Sequence, residues 1–125
     1  MLPSVTVSPD LAADAPHHEL AARLGVDLAA LWRVHGLRNT DLARRFDGAD
    51  AGVLELAFEA GGGAQARLED ELTGHAFRIV SCAAAELRAR AASPFAYLTH
   101  GTTLADLLAR DCGAELVDWR LLGAP

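Results

Sequence analysis

Residues 52–69 read GVLELAFEAGGGAQARLE, and how this stretch is parsed decides the fold. In its first half Leu54, Leu56 and Phe58 alternate with Glu55, Ala57 and Glu59, the two-residue period of a half-buried strand. Gly61-Gly62-Gly63 follows, and then Ala64, Ala66 and Leu68 alternate with Gln65, Arg67 and Glu69. Two alternating runs joined by glycines predict a β-hairpin.

Downstream the alternation recurs. HAFRIVSC (75–82) predicts a third strand, with Phe77, Ile79 and Ser81 on one face and Arg78, Val80 and Cys82 on the other. In AAAELRARAAS (83–93) the alanines favour helix, whereas the strict alternation from Glu86 to Ala91 favours strand. Strand is the better choice because it completes a second hairpin, which Pro94 closes. Thr102 or Thr103 then caps a helix, TLADLLARDCG, with Leu104, Leu107 and Leu108 inward and Gly113 as its stop. AELVDWRLL ends the pattern as a strand that sets Val117, Trp119 and Leu121 on one face.

Upstream the period is helical. Residues 1–14 form an extended, proline-bounded lead-in. Leu20, Leu24, Leu28 and Leu31 then recur at helical spacing, with Asp14 as cap and Pro16 in the first turn. Gly25 interrupts the run, Asp27 caps a second helix and Gly36 stops it. Thr40 caps a further short helix, DLARRF. Helices first, then strands joined by short turns, then one late helix: this order predicts a single α+β domain over 1–125. Its antiparallel sheet has about four to six strands, covered on one face by helices.

Composition narrows the function. The chain has 125 residues, 51% of them hydrophobic and 22% charged, within the globular range and outside the disordered one. All 11 basic residues are arginine, and the net charge is −6. An acidic chain without a basic stripe argues against nucleic-acid partners. Two cysteines make no disulfide framework, and no apolar run approaches the roughly 18 residues of a membrane span. The N-terminus lacks the basic start and apolar run of a signal peptide. These features predict a cytoplasmic protein with no membrane partner.

Few residues carry chemistry. His17-His18-Glu19 is the most metal-like cluster, but adjacent helical residues point about 100° apart and do not converge on one ion without help from elsewhere. The plainer reading is a polar first turn, so no metal and no cofactor are expected. Cys82 is a candidate nucleophile with His75 or His100 as base, against the simpler reading of a small buried hydrophobe. No catalytic residue can be assigned.

The segment His100-Gly101-Thr102-Thr103 carries more: a glycine before a capped helix lets backbone N–H groups approach an anion, and His100 and two hydroxyls add donors. The alternative is an ordinary cap with a surface histidine. Arg78, set between Phe77 and Ile79, either lies on a wet sheet face or is a buried guanidinium reserved for a ligand carboxylate.

In order, these pieces resemble the chorismate pyruvate-lyase family. RNTDLARRF followed by VLELAFEAGGGAQ is similar to the family's Ser-(Leu/Met)-Thr helix and the strand after it. FRIVSC resembles the strand bearing its substrate-binding arginine, and HGTTLADLLARD resembles its G-x-x-P-L-G-x-x-L stretch, so the likeness covers residues 38–111. It implies Arg78, His100, Gly101, Thr102 and Thr103 as ligand-binding residues, a pocket between sheet and helices, and a small aromatic or carboxylated metabolite as partner. It also implies a lyase of biosynthesis. Thr103-Leu104-Ala105 replaces the family's Pro-Leu-Gly, however, and the family's terminal strand with its active-site glutamate has no counterpart before Pro125, which leaves the lyase activity open. A homodimer is expected, in which a second copy covers the apolar row Val117, Trp119 and Leu121 at the sheet edge, and the alternative to a metabolite pocket is a homodimeric accessory module without catalysis.

Overall fold

The computed structural model describes residues 14–45, 51–92 and 98–123. The lead-in up to residue 13, Phe46 and Pro94 lie outside the described residues. Along the chain run α1 (Ala15–Leu24), α2 (Leu28–Arg45), β1 (Ala51–Glu59), α3 (Gly62–Gly74), β2 (Arg78–Cys82), β3 (Glu86–Ala92), α4 (Leu98–Asp111) and β4 (Glu115–Gly123). The architecture is α+β. Its four strands form one antiparallel sheet in the order β2-β3-β1-β4.

The alternation in β1 sets the layers. Leu54, Leu56 and Phe58 are wholly buried and join Leu87 and Ala89 of β3 and Trp119 and Leu121 of β4 in one core. Leu20, Leu31, Leu68, Leu72, Leu104, Leu107 and Leu108 pack onto the same side, so the helices share one face of the sheet. No described element covers the other face.

Three expectations are corrected. Residues 62–74 are helix α3, not the second arm of a hairpin. Ala64 to Leu68 fit both periods over so short a run, but Leu72, four residues beyond Leu68, fits only the helix, and both leucines are wholly buried. Ala, Gln, Arg, Leu and Glu are also strong helix formers, and none belongs to the β-branched or aromatic types enriched in strands. Gly61 is the N-cap of this helix and Gly62 takes a left-handed φ of 52°, so the glycines make a strand-to-helix turn. Gln65 fastens it to the sheet by donating from Nε2 to the Ala83 carbonyl at 2.8 Å.

Gly36 does not stop α2, and Thr40 does not cap a new helix. The Thr40 hydroxyl instead donates back to the Gly36 carbonyl at 2.8 Å. Gly25, by contrast, ends α1 in the left-handed conformation, as expected. Finally, α4 begins at Leu98, so Thr102 and Thr103 lie inside it and not at its cap.

The remaining strands stand as read, with two changes of facing. A register shift between Ile79 and Ser81 turns Ser81 to the side of Arg78, opposite Arg88. In β4, an edge strand, a register shift between Ala57 and Phe58 puts Leu116 opposite Phe58 and leaves Val117 42% exposed, while Trp119 and Leu121 are 8% and 9% exposed beneath the helices, so the expected apolar row is split between the two faces. Cys82 is exposed, while Cys112 is buried. No helix among the described residues is long and apolar enough to cross a membrane.

Candidate functional site

The face of the sheet that no described element covers is organised around Glu55. Antiparallel pairing places Arg78 opposite Arg90, Arg90 opposite Glu55, and Glu55 opposite Arg120, in one row across all four strands. Arg90 donates from Nε and Nη2 to Glu55 Oε2 at 2.8 Å. Arg120 donates to Oε1 from Nε at 3.0 Å and Nη2 at 2.8 Å. From the next row Arg88 reaches Oε1 at 3.3 Å and pairs with Glu86 at 2.8 Å.

The Glu55 side chain is thus only 4% exposed, although it points away from the core. Its own arginines cover it. Loss of hydration pushes its carboxyl up, but the hydrogen bonds and charges of Arg90 and Arg120 outweigh this and hold it below the usual carboxylate range. Asp106 behaves alike: burial raises it, and His35 and Arg110 lower it further. A carboxylate depressed on folding stabilises at pH above its unfolded value, about 4, and that stability goes as pH falls through the lower folded value. The urea midpoint is therefore expected to begin to fall below about pH 6.5, where the unfolded chain protonates the His17 that burial holds neutral in the fold, and to fall further below about pH 4 as the two carboxylates are protonated. Glu55→Gln should flatten part of that fall, measured by urea titration across the range.

Arg78 differs from its neighbours on this face. It is exposed, and it has no acidic partner among the described residues. With Arg90 it lines a shallow groove of about 180 Å³ whose apolar lining is Val53, Ala76 and Ala91. Two guanidiniums, one with no partner among the described residues, beside small apolar side chains suit a carboxylate with a compact body.

His100, Gly101, Thr102 and Thr103 do not join this groove. They lie in α4, on the helical side of the sheet, so the two halves of the expected pocket are separated by the sheet itself. Gly101 faces β1, where an added Cβ would meet Leu54 Cδ2 at 3.6 Å, an ordinary packing distance.

Thr102 belongs instead to a buried polar network. Its hydroxyl lies 2.9 Å from His35 Nδ1, and His35 Nε2 lies 2.7 Å from Asp106 Oδ2. Asn39 donates to Thr99 at 3.1 Å and Thr102 at 3.0 Å, and accepts from Trp119 Nε1 at 2.8 Å. His35 stacks on Trp119 at 4.8 Å, and Arg38 covers the indole at 3.7 Å and pairs with Asp118. Hydroxyl, imidazole and carboxylate in series are the parts of an activated nucleophile. Here Thr102 is wholly buried and His35 only 2% exposed, so no substrate reaches them. The network ties α2, α4 and β4 together.

His100 has a third setting. Its Nε2 lies 2.7 Å from Asp14 Oδ2, and its carbonyl is 2.9 Å from His17 Nε2. His17 Nδ1 in turn accepts the Asp14 backbone N–H at 3.1 Å. Burial pushes the His17 imidazole down and keeps it neutral. Desolvation and the Glu69 carboxylate push the Cys82 thiol up, which disfavours a nucleophilic thiolate; its suggested base His75 is bonded to the Glu71 carbonyl at 2.8 Å.

Arg78 was visible in the sequence as a charge inside an apolar strand. Glu55, Arg90 and Arg120 were not, because their convergence depends on strand order; the one available signal was a glutamate and an Arg-x-Arg pair on polar strand faces. Comparison of the chain with protein-family models, curated proteins and solved structures finds no match.

Proposed function

We propose that the chain is a small-molecule-binding domain that takes a carboxylated metabolite on the uncovered face of its sheet. Arg78 and Arg90 hold the carboxylate, and the groove beside them takes its apolar body. The observation that carries this reading is the Arg78 guanidinium, which has no acidic partner among the described residues and lines that groove. Glu55 acts as a positioning residue: it occupies the Nε and Nη2 edge of Arg90 and leaves Nη1 for a ligand.

The resemblance to chorismate pyruvate-lyases favours an aromatic carboxylate and a role in biosynthesis, although Arg78 is exposed on the sheet face away from the helices and not in a pocket between the two. Its further residues, His100 to Thr103, are employed elsewhere in the fold, so binding is proposed and a lyase reaction is not. The test is a thermal-shift panel of benzoate, isophthalate and neutral benzamide. Ligand binding raises the melting temperature by mass action. The carboxylates should raise it and benzamide should not. A flat response to all three would reject the reading.

A second reading, the homodimeric accessory module, draws on the same uncovered face, since an exposed charged sheet surface also suits a protein partner. It would lead if the panel were flat and light scattering gave twice the monomer mass.

A further inference from the structure

We propose that Asp14, His17 and His100 form a binding site for a divalent transition metal, Zn²⁺ being the ion that suits them. This site is independent of the arginine groove and lies on the helical side of the molecule. It joins the N-terminus of α1 to the first turn of α4.

The sequence offered His17 beside His18, a pair that diverges on a helix. The fold provides what that pair lacked. His17 turns inward, and Asp14 and His100 converge on it, so that one ligand atom of each lies within 4.8 Å of the other two. Zinc bonds to nitrogen and carboxylate oxygen are about 2.0–2.1 Å long, which in a tetrahedral site separates ligand atoms by roughly 3.3 Å. The Asp14 oxygen and His100 Nε2 now stand 2.7 Å apart across a shared proton, and an ion replacing that proton needs them to part slightly. Both can yield, since their side chains are 67% and 26% exposed.

His17 is the fixed ligand. It is wholly buried, and its Nε2–H donates to the His100 carbonyl at 2.9 Å. That bond sets the tautomer and orients the ring, as backbone carbonyls do for zinc-bound histidines, and it puts the lone pair on Nδ1. Among the described residues Nδ1 accepts the Asp14 N–H at 3.1 Å, so the ion enters when the Asp14 backbone turns away from the ring at this exposed cap, at the loss of a bond worth about 1 kcal/mol. Two neutral imidazoles and one carboxylate are the donor set of an open zinc site, with a fourth position toward solvent. The positive ends of two helices oppose the cation, so the Asp14 charge is essential to it.

The test is calorimetric titration of Zn²⁺ into the full chain, with Co²⁺ absorption as a report of coordination. His17→Ala opens a core position, so the informative variants are Asp14→Asn, which keeps a capping side chain, and His100→Ala, each checked by thermal melt. One ion per chain is expected, with the intense visible bands of four-coordinate Co²⁺. Affinity should fall at least about tenfold in either variant and stay unchanged in His18→Ala. Absence of binding to the wild type, binding that survives both substitutions, or loss in His18→Ala alone would overturn the proposal.

Discussion

Replacing Phe58 with alanine is expected to cost about 3–5 kcal/mol, a large share of the 5–15 kcal/mol that holds a typical domain together. Phe58 sits in β1, the strand that pairs with both β3 and β4, and its ring is wholly buried beneath the helices. Truncation removes the transfer free energy of the ring and leaves a cavity walled by rigid sheet on one side. Urea unfolding should show a lower midpoint with little change in slope. A melt indistinguishable from wild type would mean that β1 faces the other way.

Asn39→Ala should cost about 2–4 kcal/mol although it removes little apolar surface. The amide is wholly buried and satisfies three partners at once, Thr99, Thr102 and the Trp119 N–H. Its loss strands the indole donor away from water, and a stranded buried donor costs more than the bond itself contributes. Thr103 provides the contrast. Its hydroxyl is buried with no hydrogen-bond partner among the described residues, so Thr103→Val, of similar shape, should be neutral or stabilising by about 1 kcal/mol. Chemical denaturation of the two variants side by side separates a polar network that holds the layers together from a polar atom that does not.

The layout of the sheet was largely legible. Alternation located β1, β3 and β4, and the α+β class followed from the order of elements. The failures share a cause. Between Ala64 and Leu68 only one large apolar residue marks the period, so a two-residue and a helical repeat cannot be told apart until Leu72 is counted. Gly36 and Thr40 carry breaker and cap chemistry, but burial of Leu31, Trp32, His35 and Asn39 along one face of α2 overrides both. Thr102 and Thr103 are β-branched and suit a cap by propensity; they sit inside α4 because Leu98 and Thr99 are already buried and extend its inner face by a turn.

The site was half legible for the same reason. A charged residue in an apolar strand marks Arg78 locally. That Arg90, Glu55 and Arg120 share its row follows from the order β2-β3-β1-β4, which no local pattern encodes. His100 was singled out for donors at a helix start, and it does lie in a first turn, but its partners Asp14 and His17 come from the far end of the sequence.

The claim that the Arg78 groove holds a carboxylate is tested most directly by titrating isophthalate into the wild type and into Arg78→Met by calorimetry. Arg78 is exposed and without a partner among the described residues, so the substitution should leave the ligand-free melting temperature unchanged. Hydrogen bonds to charged groups contribute about 1.5–3 kcal/mol, less where solvent screens them, so affinity should fall by about tenfold or more. Arg78→Lys should recover little of it, because an ammonium does not reproduce the two-pronged contact. Equal affinity in the wild type and Arg78→Met, or no binding to the wild type, would contradict the account.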